Sequence, residues 1–172
     1  ASVSQPEDSV PSLESPEGIE SDKDVNRVLK AVFSQMSLVT AYYREKDLAN
    51  PLGYRLNRLI AWLTVDELPL KQDDGNTLLP SPEGAVRSGI ENQLATGNYQ
   101  AAIAGAETQV RQSLFWFDLS RFTAQALEAL GPKYTAAHEI VCAETALFVK
   151  RLPGVENFNF SDGTPFADNE TR

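Results

Sequence analysis

Few residues of this chain could do chemistry. His138 and Cys142 are its single histidine and single cysteine, and their i, i+4 spacing places both on one helix face. A thiol and an imidazole so placed could form a nucleophile–base pair. No third group that would orient the imidazole is visible, and a small buried cysteine beside a half-exposed histidine accounts for the pair without catalysis. One histidine cannot build a multi-histidine metal site. Two acidic turns, Asp73-Asp74-Gly75-Asn76 and Asp162-Gly163-Thr164-Pro165, lack the alternating ligands and closing Glu of a calcium loop, and they read as turns. Gly84, Gly89, Gly97 and Gly105 are scattered, and none is followed by the Gly-Lys-Ser/Thr of a phosphate loop. The sequence predicts no metal, no cofactor and no enzyme.

Charge narrows the partners. The chain has 172 residues, with 15 Lys and Arg against 24 Asp and Glu, a net of −9. A nucleic-acid reader needs clustered cations to neutralise phosphates, and adsorption to anionic lipid needs the same sign, so neither partner is expected. No run of about 18 apolar residues exists to span a bilayer. The basic and apolar regions of a signal peptide are missing from the N-terminus, and a single cysteine forbids an intrachain disulfide. The expected compartment is the cytoplasm. A start at Ala1, without an initiator Met, reads as a processed product or an excised piece.

The elements that must position these residues read as helices. Residues 1–20 hold five Ser, three Pro and five acidic residues, too polar to offset their ordering entropy, and are expected to be a linker. Residues 21–172 are expected to form a helical domain. Ser21 and Asp24 resemble a capping box, with Asp in place of Glu. Val25, Leu29, Val32, Met36, Val39 and Tyr43 then alternate by four and three, a seam for a packed helix over about Asp22–Glu45. Asn50-Pro51 caps and opens a second helix, with Leu52, Leu56, Leu59, Ile60 and Leu63 as its inward stripe and Arg55 and Arg58 on the flank. Ser81-Pro82-Glu83, Asn98, Asp118 and Gly131-Pro132 open four more, the fourth helix running to about Leu114. The fold class is all-α: a bundle or short solenoid of about six helices in antiparallel pairs. Phe158 and Phe160 alternate with Asn157 and Asn159, predicting an irregular, partly extended C-terminal tail over the bundle.

Gly97 and Gly131 begin similar stretches 34 residues apart, the period of tetratricopeptide hairpins. A peptide-binding adaptor of that kind is the alternative to a structural role. Aromatic residues supply the candidate interface. Phe115-Trp116-Phe117 cannot all enter one core if they lie on a helix, so Phe115 and Trp116 are candidates for contact with a neighbouring chain; packing under the Phe158/Phe160 tail is the competing explanation. Tyr43 continues the seam, leaving Tyr42 to point elsewhere, near Trp62. The five candidate interface residues are Tyr42, Tyr43, Trp62, Phe115 and Trp116.

Three blocks carry a family resemblance. Asn50-Pro51-Leu52-Gly53-Tyr54-Arg55-Leu56-Asn57-Arg58, followed by Trp62, resembles the NP-x-x-YR-x-x-R…W helix of TssA-type proteins of the bacterial type VI secretion system. Phe115-Trp116-Phe117-Asp118-Leu119-Ser120-Arg121 is similar to their FW-x-DL-x-R segment. Leu152-Pro153-Gly154-Val155-Glu156, with Phe160 to Asp168, resembles their closing RLPG-x-E…F-x-DGTPFAD stretch. The resemblance implies the middle domain of a cytoplasmic, non-enzymatic assembly factor. Such a factor engages the baseplate and accompanies polymerisation of tail tube and sheath. It also implies a homo-oligomer, expected here to be a dimer. The N-terminal ImpA-like domain and the C-terminal ring domain of that family have no counterpart in these residues.

Overall fold

Local signals set most helix starts. Ser21 Oγ donates to Asp24 Oδ2 at 2.7 Å and accepts from the Asp24 N–H at 3.3 Å, closing the first turn of α1 (Asp22–Lys46). Asn50 Oδ1 accepts from the Leu52 N–H at 3.0 Å, with Pro51 as the first residue of α2 (Pro51–Trp62). The computed structural model describes residues 18–172. It continues with α3 (Gly84–Ala95), α4 (Tyr99–Gln109), α5 (Asp118–Leu130) and α6 (Thr135–Arg151). Single 3-10 turns sit at Pro132–Tyr134 and Val155–Asn157. Among the described residues there are two isolated β-bridges and no strand. The fold is an all-α helical bundle.

Some boundaries differ from the sequence reading. Glu83 is the N-cap of α3, and neither Glu83 nor Asn98 makes a side-chain cap bond. Helix α4 stops at Gln109 because the chain turns there, with Gln112 N–H donating to Gln109 O and Trp116 N–H to Ser113 O. The chain separates into two compact units, Ala1–Ser34 and Gln35–Arg172. The linker expected over residues 1–20 falls largely outside the described residues. In the first unit the described structure is the capped beginning of α1.

From α3 onward each helix packs on the next, and α2 packs on α6. Arg55 pairs with Glu144 at 3.0 Å, while Trp62 stacks on Phe148 with centroids 4.5 Å apart. These partners rise together in number, so α2 and α6 run parallel. Contact between an early and a late helix closes the bundle, whereas in an open solenoid each repeat touches only its neighbours. The Cβ position at Gly53 lies 3.0 Å from Tyr43 Cβ, so a side chain there would push α1 and α2 apart.

The core contradicts two sequence expectations. The buried face of α2 is Gly53, Tyr54, Asn57, Arg58, Ala61 and Trp62. The expected inward stripe is turned out: Leu52, Leu59 and Leu63 are exposed, and Leu56 and Ile60 are half-buried. A charged partner for Arg58 and a ring for Trp62 lie on the opposite side, and their pairing fixes the rotation of the helix. Likewise Phe115, Trp116 and Phe117 are all buried. They precede α5 in a turn instead of sharing a helix, so their side chains are not bound to helical spacing and all three reach the core.

Two acidic turns are built alike. Gly75 and Gly163 take φ of 84° and 86°, the left-handed region glycine occupies at no steric cost. Asp74 Oδ1 accepts from the Asn76 N–H and Asp162 Oδ1 from the Thr164 N–H, each at 2.9 Å. The turns lie side by side, with Thr77 N–H donating to Asn159 O and Ser161 N–H to Leu79 O. This joins the α2–α3 connection to the C-terminal tail.

Candidate functional site

The centre of the bundle holds a buried charge network. Arg58 and Glu107 are 1% and 2% exposed. The guanidinium donates from Nη2 to Glu107 Oε1 at 3.0 Å and from Nη1 to Oε2 at 3.1 Å, the bidentate geometry that suits arginine to a carboxylate. Asn57 Nδ2 donates to Oε2 and Thr123 Oγ1 to Oε1, both at 2.9 Å. Ser120 Oγ accepts from Arg58 Nη2 at 3.3 Å and lies 2.8 Å from Thr145 Oγ1. Helices α2, α4, α5 and α6 therefore meet on one ion pair. Tyr54 donates its hydroxyl to Leu48 O at 2.8 Å; burial, then the Glu107 charge, push its phenol far above the ordinary value. Arg58, Glu107 and Asn57 are buried and both Glu107 oxygens are occupied by the protein, while Asn57 Oδ1 and Arg58 Nε are left without a hydrogen-bond partner. Such an arrangement positions the helices against one another.

A second cluster ties down the tail. Asp118, fully buried at the start of α5, accepts from Asp168 N–H at 2.9 Å and Thr171 Oγ1 at 2.6 Å through Oδ1. Its Oδ2 accepts from Trp116 Nε1 at 3.2 Å and from Arg87 Nη2. Arg121 reaches Asp168 at 2.7 Å and Glu170 at 2.9 Å. Its guanidinium lies over Phe122, 4.6 Å from the ring centroid.

His138 and Cys142 do share a face, with Nε2 and Sγ 3.9 Å apart. Cys142 is exposed, not buried as expected. Desolvation nonetheless pushes its thiol up, the opposite of what a nucleophilic thiolate needs. Among the described residues no group of three His, Cys, Asp or Glu is placed to hold a metal ion, and no helix is long and apolar enough to cross a membrane.

The five candidate interface residues separate. Trp62, Phe115 and Trp116 lie in the core at 6%, 8% and 2% exposure. Trp62 Nε1 donates to Leu114 O at 2.9 Å, and Phe115 stacks on Phe166 at 5.3 Å. The tail covers the aromatic run, chiefly through Phe166, with Phe158 and Phe160 around it. Tyr43 is half-buried against Gly53, and Tyr42 alone of the five is exposed, at 59%. Sequence reasoning missed Glu107 and Asp118. A Glu inside the apolar face of α4 was the available sign for the first, and an Asp at a helix start, read only as a cap, for the second. It also missed the exposed Leu147 of α6, which with Leu59 and Leu63 lines a shallow cleft beside Trp62.

The Arg58–Glu107 pair and Asp118, the partner of Arg87, are drawn inward, while Val32, Val39, Leu59, Leu63 and Leu147 remain exposed. Fold and site thus define a class: an all-helical bundle tied by buried ion pairs and carrying exposed apolar side chains. Over residues 26–172 the chain matches the family described as "Type VI secretion, EvfE, EvfF, ImpA, BimE, VC_A0119, VasJ", and it belongs to that family. Comparison with curated proteins gives no match.

Proposed function

We propose that this chain is the middle domain of a TssA-type assembly factor. In this reading it is a cytoplasmic, non-enzymatic module over residues 21–172, following a linker. It self-associates as a dimer and helps baseplate, tail-tube and sheath proteins assemble. The family match supports the machine; the first helix supports the self-association, and it is the observation that carries the reading. Helix α1 is 25 residues long and buries only Thr40. Along its seam Val25, Val32 and Val39 are 38%, 44% and 40% exposed, with Tyr42 at 59% beside them. Helices in proteins owe most of their stability to packing of an apolar face, and along these valines that face is largely uncovered. The flanks of the seam are Asn26, Val28, Phe33, Gln35, Thr40 and Tyr42. All are uncharged, so a second copy can approach without like charges meeting.

Light scattering of the chain at tens of micromolar tests this. The expected result is a dimer that Val32→Glu with Val39→Glu converts to a folded monomer. A monomeric parent chain removes the self-association.

A further inference from the structure

We propose that the groove between α5, α6 and the C-terminal tail is a docking site for an acidic peptide segment carrying one apolar anchor residue. The groove holds about 470 Å³, within the range of built ligand sites. Its walls are Phe117, Ala124, Ala146, Val149 and Ala167; the alanines leave the space that a guest side chain would fill. The hydroxyls lining it, Ser120 and Thr145, are engaged with Arg58 and with Val141 O, so that part of the lining makes no polar demand on a guest.

The rim specifies charge. Arg121 lines the groove but is already held by Asp168 and Glu170. Lys150 and Arg172 line it as well, and neither forms an ion pair among the described residues. Lys150 and Arg172, the latter donating Nε to Ala167 O at 3.0 Å, face a single carboxylate in this lining, Glu156, and a cationic rim stands out in a chain of net charge −9. They suit carboxylates flanking the anchor. Glu156 adds a second demand. Its Oε2 is buried in the same groove with no hydrogen-bond partner, and a buried acceptor left unmade is costly. A turn of the Glu156 side chain toward the groove would let a backbone N–H of the guest satisfy it. A simple anion supplies acids without donors; a peptide supplies both.

Cys142 edges the groove, is exposed and is the single thiol, so a trifluoromethyl reporter attached there reads occupancy in the whole chain by fluorine resonance. The probes are three capped pentapeptides with a central Leu flanked on each side by two Glu, two Gln or two Lys. The expected result is a saturable shift with the Glu peptide, weakened by added salt, and little response to the Lys peptide. Lys150→Glu, at an exposed side chain, should weaken the Glu peptide about threefold to tenfold. Ala146→Trp should abolish the response by filling the groove; if that variant misfolds by circular dichroism, Lys150→Glu decides alone. Equal binding of the Gln peptide, indifference to Lys150→Glu, or no saturable shift would overturn the proposal. None of those outcomes bears on dimerisation, which is read from α1 by light scattering.

Discussion

Glu107 sits where an acidic residue is least at home, and four hydrogen bonds from Asn57, Arg58 and Thr123 hold it there. Truncation of one member of a buried ion pair leaves the other charged and dry. Glu107→Ala is therefore expected to cost about 3–5 kcal/mol, read as a lower urea midpoint with the helical spectrum kept. Replacing the pair together, with Arg58→Met and Glu107→Leu, should recover most of that loss, because an apolar pair of similar volume carries no desolvation penalty. Composition gave no warning of this network: Arg58 on a helix flank reads as a solvated cation, and only the position of α4 shows that a carboxylate waits for it. His138 and Cys142 teach the converse. Their spacing was legible and so was their helix face, yet among the described residues the hydrogen bond seen at the imidazole is the 3.9 Å contact with Cys142 itself.

At the level of elements, the second helix separates pattern from packing. Its leucine stripe has the period of a buried face, but Leu59 and Leu63 remain 39% and 40% exposed while Trp62 is 6% exposed. Leu63→Ser is accordingly expected to shift stability by only about 0.5 kcal/mol, as for a surface site, whereas Trp62→Ala should cost about 3–5 kcal/mol through lost contact with Phe148 and the cavity left behind. Chemical denaturation of both variants compares them directly; a larger loss at Leu63 would mean that the leucine face is covered in solution. Helix starts at Asp22 and Pro51 were readable because caps are local. The rotation of α2 about its axis was not, since it depends on partners about 50 and 90 residues away.

For the whole molecule, the C-terminal tail completes the core. Phe160 and Phe166 are buried at 2% and 0%, and Phe117 N–H donates to Phe166 O at 2.8 Å. Asp168 locks this arrangement. Burial alone would raise its carboxyl, but hydrogen bonds from Thr171 and the Arg121 charge outweigh burial and hold it below the ordinary 3.8. A carboxylate depressed in the folded state stabilises fully above its unfolded value, and that stability disappears as pH falls through the lowered one. The thermal unfolding temperature should thus fall below about pH 4, and Asp168→Asn should be less stable than the parent at neutral pH while losing less on acidification. An identical acid profile in parent and variant would show that the tail is held by its aromatic rings alone.

The sequence by itself determined what is short-range: an all-helical chain, its caps, its two Asp-Gly turns, an acidic surface, and a set of blocks specific enough to place it in a secretion family. Tertiary structure decided what depends on distant pairs. It put an arginine inside and leucines outside, seated three consecutive aromatics in one core beneath the tail, and set two equivalent turns against each other 82 residues apart at Thr77 and Asn159. The physical reason is that hydrophobic period records how much apolar surface a helix carries, not what covers it. Burial of charge is settled only where its counter-charge lies, and the folding of the other helices fixes that location.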